Sequence, residues 1–237
     1  MRKLYSIRGN RKAFTIVEVL VTLALIGIIS SLTIVPMIKN YQQKQFRASF
    51  KKNYSILSQA FIMLKADYGG TLAYMYPGCN GNWCSNNGLG QDLMKYLKYT
   101  KWCRQSYAIA DGCMYENGPK WLNESEHMWD YRINNGAFIL NNGAVFFYNI
   151  PYYYNDYISG ERKVYTYAQM YIDVNGFKGP NIMGKDVYGM HMNTDGLLPF
   201  GTTGTEMFEN GLCTIGNNDA TNLGLSCAVK VLQNIDY

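Results

Sequence analysis

The sequence predicts an α+β fold in which one long N-terminal helix packs on a small antiparallel β-sheet. Three observations support this fold class. An uncharged apolar run extends from Val19 to Ile38, an amphipathic pattern of helical period follows it, and hairpin signals occur only in the second half of the chain. Strand signals that follow a helix, instead of alternating with helices, are typical of α+β domains.

The first element is a helix predicted over residues 14–66, and its first part, 14–38, is predicted to cross a membrane. About 20 apolar residues form a helix of about 30 Å, which spans the hydrocarbon core of a bilayer. Glu18 stands at the head of this run, where a carboxylate costs about 2.5–3.5 kcal/mol on insertion scales. We therefore expect Glu18 to have a cationic partner.

The second part of the helix is amphipathic. Its apolar stripe repeats every three or four residues and consists of Phe46, Phe50, Tyr54, Leu57, Phe61 and Leu64. Lysine and arginine occupy other faces of the helix, so the stripe predicts the surface that the sheet covers. Pro36 predicts a kink or a melted turn, and the glycines after Tyr68 predict the end of the helix.

About four strands are predicted after a long irregular region. Residues 71–135 contain one predicted short helix, near 89–99, and four of the six cysteines. The segments 137–140 and 144–148, joined by Asn141-Asn142-Gly143, predict a β-hairpin, because Asn-Gly supplies the positive φ angles of such turns. The segments 165–174, 186–193 and 197–200 predict the remaining strands, and a short apolar segment lies at 225–232.

The excess of basic over acidic residues lies at the N-terminus. The chain of 237 residues has a formal charge of +5, which the first 13 residues account for, since 17 basic and 17 acidic residues remain beyond them. A basic cluster before an apolar helix holds that end in the cytoplasm, so the C-terminal domain is predicted outside it. A nucleic-acid partner is not expected, because no basic stripe remains on that domain.

The six cysteines all lie beyond the apolar helix, on the predicted outer side. An even count in an oxidising compartment indicates disulfides. Nearest-neighbour pairing predicts Cys79–Cys84, Cys103–Cys113 and Cys213–Cys227, although six cysteines allow 15 connectivities. A zinc site is the alternative, but no pair has Cys-x-x-Cys spacing and neither histidine stands near a pair.

The start of the helix resembles a known export signal. Ala13-Phe14-Thr15-Ile16-Val17-Glu18, after a basic leader, is similar to the type III signal of type IV pilins and type II secretion pseudopilins, whose pattern is Gly, Phe, Thr, Leu, any residue, Glu. The chain departs from it at Ala13 and Ile16. A secretory signal peptide fits less well, because the apolar core is too long, begins with an acid and lacks an Ala-x-Ala site.

The resemblance implies a processing route and a set of partners. Residues 1–13 would be a leader removed by prepilin peptidase between Ala13 and Phe14, and Phe14 would be N-methylated. Glu18 would then pair with the terminal ammonium of a neighbouring subunit during filament assembly. Other pilin or pseudopilin subunits, an assembly platform and the bacterial inner membrane are the implied partners, and residues 67–237 would form the globular ectodomain outside the cytoplasm.

Calcium is the one cofactor that the sequence suggests. Asp173, Asn175, Asn181 and Asp186 concentrate oxygen ligands in one loop, and hard cations take six to eight oxygens. Major pseudopilins of type II secretion bind calcium in a loop of their sheet region, which supports a site by analogy. Hairpin turn chemistry with solvent-facing Asp and Asn explains the same residues without a metal.

Catalytic motifs are few, and no catalytic residue is assigned. His127 is interpreted as a surface histidine and His191 as a structural one, and the 21 tyrosines could form a sugar- or surface-binding patch or pack the sheet. The sequence thus favours a non-enzymatic filament subunit of a type IV pilus-like or type II secretion system. The alternative is a single-pass anchored ectodomain that binds or acts on an extracellular substrate.

Overall fold

The computed structural model describes residues 14–72, 86–104, 106–124, 127, 136–149, 152–158, 161–193, 196–202, 213–214 and 224–237. The predicted leader, 1–13, and the predicted pair Cys79–Cys84 lie outside these residues. The chain divides into two compact units, Met1–Gln42 and Gln43–Tyr237.

Helix α1 covers Ile16–Asp67 and confirms the predicted long helix. It is helical through Pro36, so the turn predicted to kink or melt there is not melted. A proline removes one backbone hydrogen bond, and the remaining bonds of a long helix can hold the turn. The helix ends as predicted at two glycines of positive φ, with Gly70 N donating to Lys65 O at 2.9 Å.

In the first unit, the described residues belong to α1 and its N-terminal flank. All of Phe14–Gln42 is exposed except Ser30, which is partly buried. The hydroxyls in this apolar stretch bond to carbonyls of their own helix: Thr22 Oγ1 to Val19 O at 2.9 Å and Ser31 Oγ to Ile28 O at 2.8 Å. Such internal pairing is what a helix in hydrocarbon needs.

The second unit contains an antiparallel sheet of seven strands, which are β1 Tyr99–Cys103, β2 Gly136–Leu140, β3 Val145–Tyr148, β4 Tyr152–Ile158, β5 Glu161–Asp173, β6 Val187–Asn193 and β7 Gly196–Pro199. Six of them form the order β1-β2-β3-β5-β6-β7, and β4 pairs with β5. Two further helices are α2, Asn86–Leu93, and α3, Cys227–Leu232. The fold is α+β, as predicted.

One face of the sheet carries the amphipathic part of α1. The stripe residues Phe50, Leu57, Phe61 and Leu64 are fully buried or nearly so, and Phe46 and Tyr54 pack beside them. They meet the residues of β2, β3, β5 and β6 that point to this side, which are Phe138, Leu140, Phe146, Tyr148, Met170, Ile172, Tyr188, Met190 and Met192. The helical period of the sequence therefore predicted the covered face correctly.

The other face of the sheet has its own core, which the sequence did not predict. Val145, Phe147, Tyr171 and Val187 of the strands pack there against residues from irregular segments. Those residues include Cys103, Cys113, Met114, Trp121, Met183, Phe200, Cys213 and Cys227. The sheet is therefore covered on both sides, by a helix on one and by disulfide-linked loops on the other.

Candidate functional site

Glu18 and Thr15 form a reciprocal cap at the start of α1. Glu18 Oε2 accepts hydrogen bonds from Thr15 N at 2.8 Å and Thr15 Oγ1 at 2.9 Å, and Glu18 N donates to Thr15 Oγ1 at 3.2 Å. This is a capping box, in which a Thr at the cap and a Glu three residues later satisfy donors that the first helical turn leaves without partners. The Thr-x-x-Glu pattern in the sequence is a signal for this cap, in addition to the assembly role expected of Glu18.

Of the two residues at the predicted cleavage point, Phe14 lies within the described part of the chain and Ala13 lies outside it. Phe14, the predicted methylation site, is 83% exposed. Phe14 immediately precedes Thr15, whose backbone N–H bonds to Glu18.

The four predicted calcium ligands come together in the loop between β5 and β6. Asp173 Oδ1 accepts from Asn175 N at 3.2 Å, and Asp173 Oδ2 accepts from Tyr115 Oη at 3.2 Å. Asp186 Oδ2 accepts from Asn181 N at 2.8 Å and its Oδ1 from Ile182 N at 2.7 Å. Each carboxylate oxygen thus already accepts a hydrogen bond, but both acids are buried, whereas the turn interpretation expected them to face solvent.

Both carboxylates are fully buried, and this raises their pKa values. Burial raises the pKa of Asp173 well above its ordinary value, and the negative charge of Asp186 adds to the rise. Burial also raises the pKa of Asp186, against the lowering effect of its backbone hydrogen bonds. Protonation of one carboxyl group or binding of a cation would relieve the electrostatic repulsion between two buried carboxylates.

Tyr115 is the contact of this loop that the sequence did not predict. It lies 58 positions before Asp173, and burial raises its pKa well above the ordinary value, with a further rise from the Asp173 charge. Its ring also meets that of Phe177 edge-on at 6.4 Å. The phenol therefore remains a hydrogen-bond donor to Asp173 at neutral pH.

The side chains of Asn175 and Asn181 complete the loop. Asn175 Nδ2 donates to Lys178 O at 2.6 Å and to Gly179 O at 3.0 Å. The Asn181 amide lies beside Asp173 Oδ2 and Lys178 O and donates to them, at 3.3 and 3.0 Å, when its nitrogen is turned toward them. With its oxygen turned toward them, it would join a cluster of oxygens of the kind that holds a hard cation.

Two of the three predicted disulfides lie within the described residues, and both are present. Cys103 bonds to Cys113 and Cys213 bonds to Cys227. These four cysteines are therefore not zinc ligands. Within the part of the chain that the structure describes, no three His, Cys, Asp or Glu side chains are grouped as a metal centre.

The two histidines are in different environments. His127 is exposed, and its Nδ1 lies 3.0 Å from Gly118 O. His191 is 6% exposed on β6, its ring centroid 4.4 Å from that of Phe200, and burial lowers its pKa to about 4. His127 is thus a surface residue, as predicted, and His191 is a neutral core residue at pH 7.

Comparison with known proteins gives one match. Residues 8–34 match a protein-family model described as the prokaryotic N-terminal methylation motif. Neither the curated proteins nor the solved structures gave a match. The motif covers the basic leader, Glu18 and the first part of α1, the helix that is long and apolar enough to cross a membrane in the described part of the chain.

Proposed function

Because the motif at residues 8–34 is the signature of type IV pilin and pseudopilin precursors, we propose that this chain is a structural subunit of a type IV pilus-like or type II secretion filament. Prepilin peptidase would cut between Ala13 and Phe14 and release the N-terminus of α1. The subunit would be held in the bacterial inner membrane, with its C-terminal domain outside the cytoplasm, and would enter a filament through α1.

The observation that carries the proposal is the Glu18 carboxylate at the head of an apolar helix. Glu18 is exposed, and so are the side chains around it from Phe14 to Leu20. A carboxylate in hydrocarbon is tolerated when it is paired. In a filament the terminal ammonium of a neighbouring Phe14 supplies the counter-charge, and neighbouring apolar helices cover the remaining surface.

Processing tests the proposal first. Intact mass spectrometry of protein expressed with and without a prepilin peptidase should show loss of residues 1–13 and the addition of one methyl group only when the peptidase is present. The methyl group is expected on the α-amino nitrogen of Phe14, so tandem mass spectrometry of the N-terminal peptide separates cleavage from methylation. A chain that keeps its first 13 residues beside an active peptidase would refute the proposed route.

We propose second that the loop between β5 and β6 binds calcium in the exported domain. The specific observation is the pair of buried acids, Asp173 and Asp186, whose repulsion a divalent cation would relieve. Calcium would take oxygens from Asp173, Asp186, Asn181 and Asn175, with backbone carbonyls and water completing its shell. The competing possibility is that backbone hydrogen bonds alone hold the loop, and the response to chelation separates the two.

The chain is proposed to be non-enzymatic. An anchored ectodomain that acts on an extracellular substrate is the rival function, and it predicts no requirement for the charge of Glu18. Identifying the assembly machinery that accepts the chain would distinguish a secretion filament from a pilus.

A further inference from the structure

Asn-Gly dipeptides recur along this chain, and they are the sites at which asparagine deamidates most readily. The backbone nitrogen of the following residue attacks the side-chain amide, and glycine has no Cβ to hinder that attack. Four of these dipeptides lie within the described residues, namely Asn87-Gly88, Asn117-Gly118, Asn142-Gly143 and Asn175-Gly176. The others contain Asn80, Asn135 and Asn210, which lie outside the described part of the chain.

Deamidation requires that the backbone nitrogen and the side-chain amide reach each other. The glycine nitrogen bonds to Cγ of the asparagine, and Nδ2 leaves as ammonia with the proton that the glycine nitrogen loses. Water then opens the resulting cyclic imide at either carbonyl, which gives aspartate or isoaspartate. The helical backbone of α2 keeps these two groups apart at Asn87, so we expect that dipeptide to react slowly.

Asn142 is held by hydrogen bonds on both sides of its amide. Its Nδ2 donates to Asn53 Oδ1 at 2.7 Å, and its Oδ1 accepts from Ala144 N at 3.1 Å. The attacking nitrogen is also held, because Gly143 N donates to Leu140 O at 2.9 Å. Deamidation at Asn142 would therefore first have to break these bonds.

Asn175 is held in a similar way. Its Nδ2 donates to Lys178 O at 2.6 Å and to Gly179 O at 3.0 Å. The backbone N–H of Gly176, which would have to attack, bonds to the carboxylate of Asp173. Both reacting groups of this dipeptide are thus engaged elsewhere in the loop.

Asn117 differs from these asparagines. It is exposed, and within the described part of the chain its side chain makes no hydrogen bond. The attacking nitrogen is held weakly, because Gly118 N donates to Tyr115 O at 3.4 Å, a longer bond than that of Gly143 N. The side chain of Asn117 can therefore approach Gly118 N without breaking a bond of its own.

Asn117 also lies between two residues that tie their segment to the loop between β5 and β6. On one side, Tyr115 Oη donates to Asp173 Oδ2 at 3.2 Å. On the other side, Lys120 N donates to Asn181 O at 2.9 Å. We call the segment between these two anchors the strap. Isoaspartate would add a methylene group to its main chain, so the strap would no longer match the distance between its anchors.

From the contrast between Asn117 and the held asparagines, we propose that Asn117 is a site of spontaneous deamidation, and that isoaspartate there loosens the strap from the loop. The reaction converts an amide and water into a carboxyl group and ammonia, so solvent water is its only co-reactant. The site is independent of filament assembly and of calcium binding, because it needs only the folded domain.

Peptide mapping by mass spectrometry tests the site on the full chain, aged in detergent and mildly alkaline buffer. We expect the peptide with Asn117 to deamidate at least about ten-fold faster than those with Asn142 and Asn175. Guanidinium chloride removes the hydrogen bonds of the folded chain, so in it the difference should fall below about three-fold. The proposal is overturned if Asn142 or Asn175 reacts as fast as Asn117 in the folded chain, or if unfolding leaves the ratio unchanged.

Amide hydrogen exchange tests the effect on the loop. Met183 N donates to Lys120 O at 2.9 Å, so its exchange should be faster in the aged parent than in fresh protein. The matched variant is Asn117→Gln, whose longer side chain would have to close a larger ring and so reacts more slowly. After the same ageing, this variant should keep slow exchange at Met183. Equal exchange in the aged parent and the aged variant would overturn the proposed loosening of the strap.

Discussion

Asn142 Nδ2 donates a hydrogen bond to Asn53 Oδ1 at 2.7 Å, and this bond joins α1 to the turn between β2 and β3. Asn53 is fully buried, and its Nδ2 donates to Ser49 O at 3.0 Å. Asn142 Oδ1 accepts from Ala144 N at 3.1 Å. The buried amide thus favours one rotation of α1 on the sheet, since other rotations would bury it without these partners.

Removing the exposed partner of this bond should destabilise the domain. Asn142→Ala leaves the buried Asn53 oxygen without this donor, and the free energy of unfolding should fall by about 1–3 kcal/mol. Denaturant unfolding of the full chain in detergent measures the change. Asn141→Ala is the matched control, because Asn141 is its exposed neighbour, and it should stay within about 0.5 kcal/mol of the parent. Equal losses for the two variants would show that the bond has no special role.

The sequence predicted those parts of the fold that follow a local period. The stripe from Phe46 to Leu64 correctly predicted the buried face of α1. Asn142-Gly143 correctly predicted the turn of the β2–β3 hairpin, in which Gly143 has a φ of +84°. Strand β4 was missed, because Asn155 and Asp156 interrupt its tyrosines with residues typical of turns. β1 was missed because the region around it has no alternating pattern, and the predicted helix near 89–99 ends earlier, at Leu93.

The candidate sites were predicted where their residues are close in sequence. Asp173 and Asp186 belong to one loop, and Cys103 and Cys213 each pair with the next cysteine along the chain. Tyr115 could not be assigned to Asp173, since nothing local links residues 58 positions apart. The second core was unpredictable for the same reason, because it joins irregular segments that lie far apart in the sequence.

The disulfide between Cys213 and Cys227 should contribute strongly to stability. It closes a segment with a sequence separation of 14, and the chain-entropy relation gives about 3 kcal/mol for a loop of this length. Cys213→Ser with Cys227→Ser should therefore lower the free energy of unfolding by about 2–4 kcal/mol. Thiol labelling of the denatured, unreduced parent is the accompanying check, and labelling at Cys103, Cys113, Cys213 or Cys227 would contradict the described pairing.

Calcium should stabilise the domain through the loop between β5 and β6. A ligand that binds only the folded state adds about 2.7 kcal/mol at 100 times its dissociation constant. Calcium should therefore raise the melting temperature of chelator-treated protein, and Asp173→Asn should abolish the increase. Asp111→Asn, at an exposed position outside the loop, should keep it. If the parent melts at the same temperature in calcium and in chelator, backbone hydrogen bonds alone organise the loop.

His191 should make the domain less stable in acid. Its pKa is about 4 in the folded protein and 6.5 without burial, so the unfolded chain binds the proton more tightly. The penalty is absent above pH 6.5 and grows as the pH falls toward 4, reaching about 2 kcal/mol at pH 4.5. His191→Gln should reduce the difference in unfolding free energy between pH 7 and pH 4.5 by that amount, measured by denaturant titration at both values. An unchanged difference would mean that His191 titrates alike in both states.

The capping box allows the charge of Glu18 to be separated from its role in the helix. Glutamine also serves at this position of a capping box, so Glu18→Gln keeps an oxygen that accepts from Thr15 but removes the negative charge. Glu18→Ala removes both. The two variants therefore distinguish a helix that needs its cap from a subunit that needs the charge.

The most direct test of the filament proposal is the yield of sheared or cross-linked multimers from Glu18→Gln, expressed with a complete assembly machinery and at normal membrane levels. We predict that the variant is inserted and cut like the parent but forms no multimers, because its uncharged amide cannot neutralise the Phe14 ammonium of a neighbour. Multimers from Glu18→Gln at the level of the parent, or none from the parent itself, would contradict the proposal and favour the anchored ectodomain.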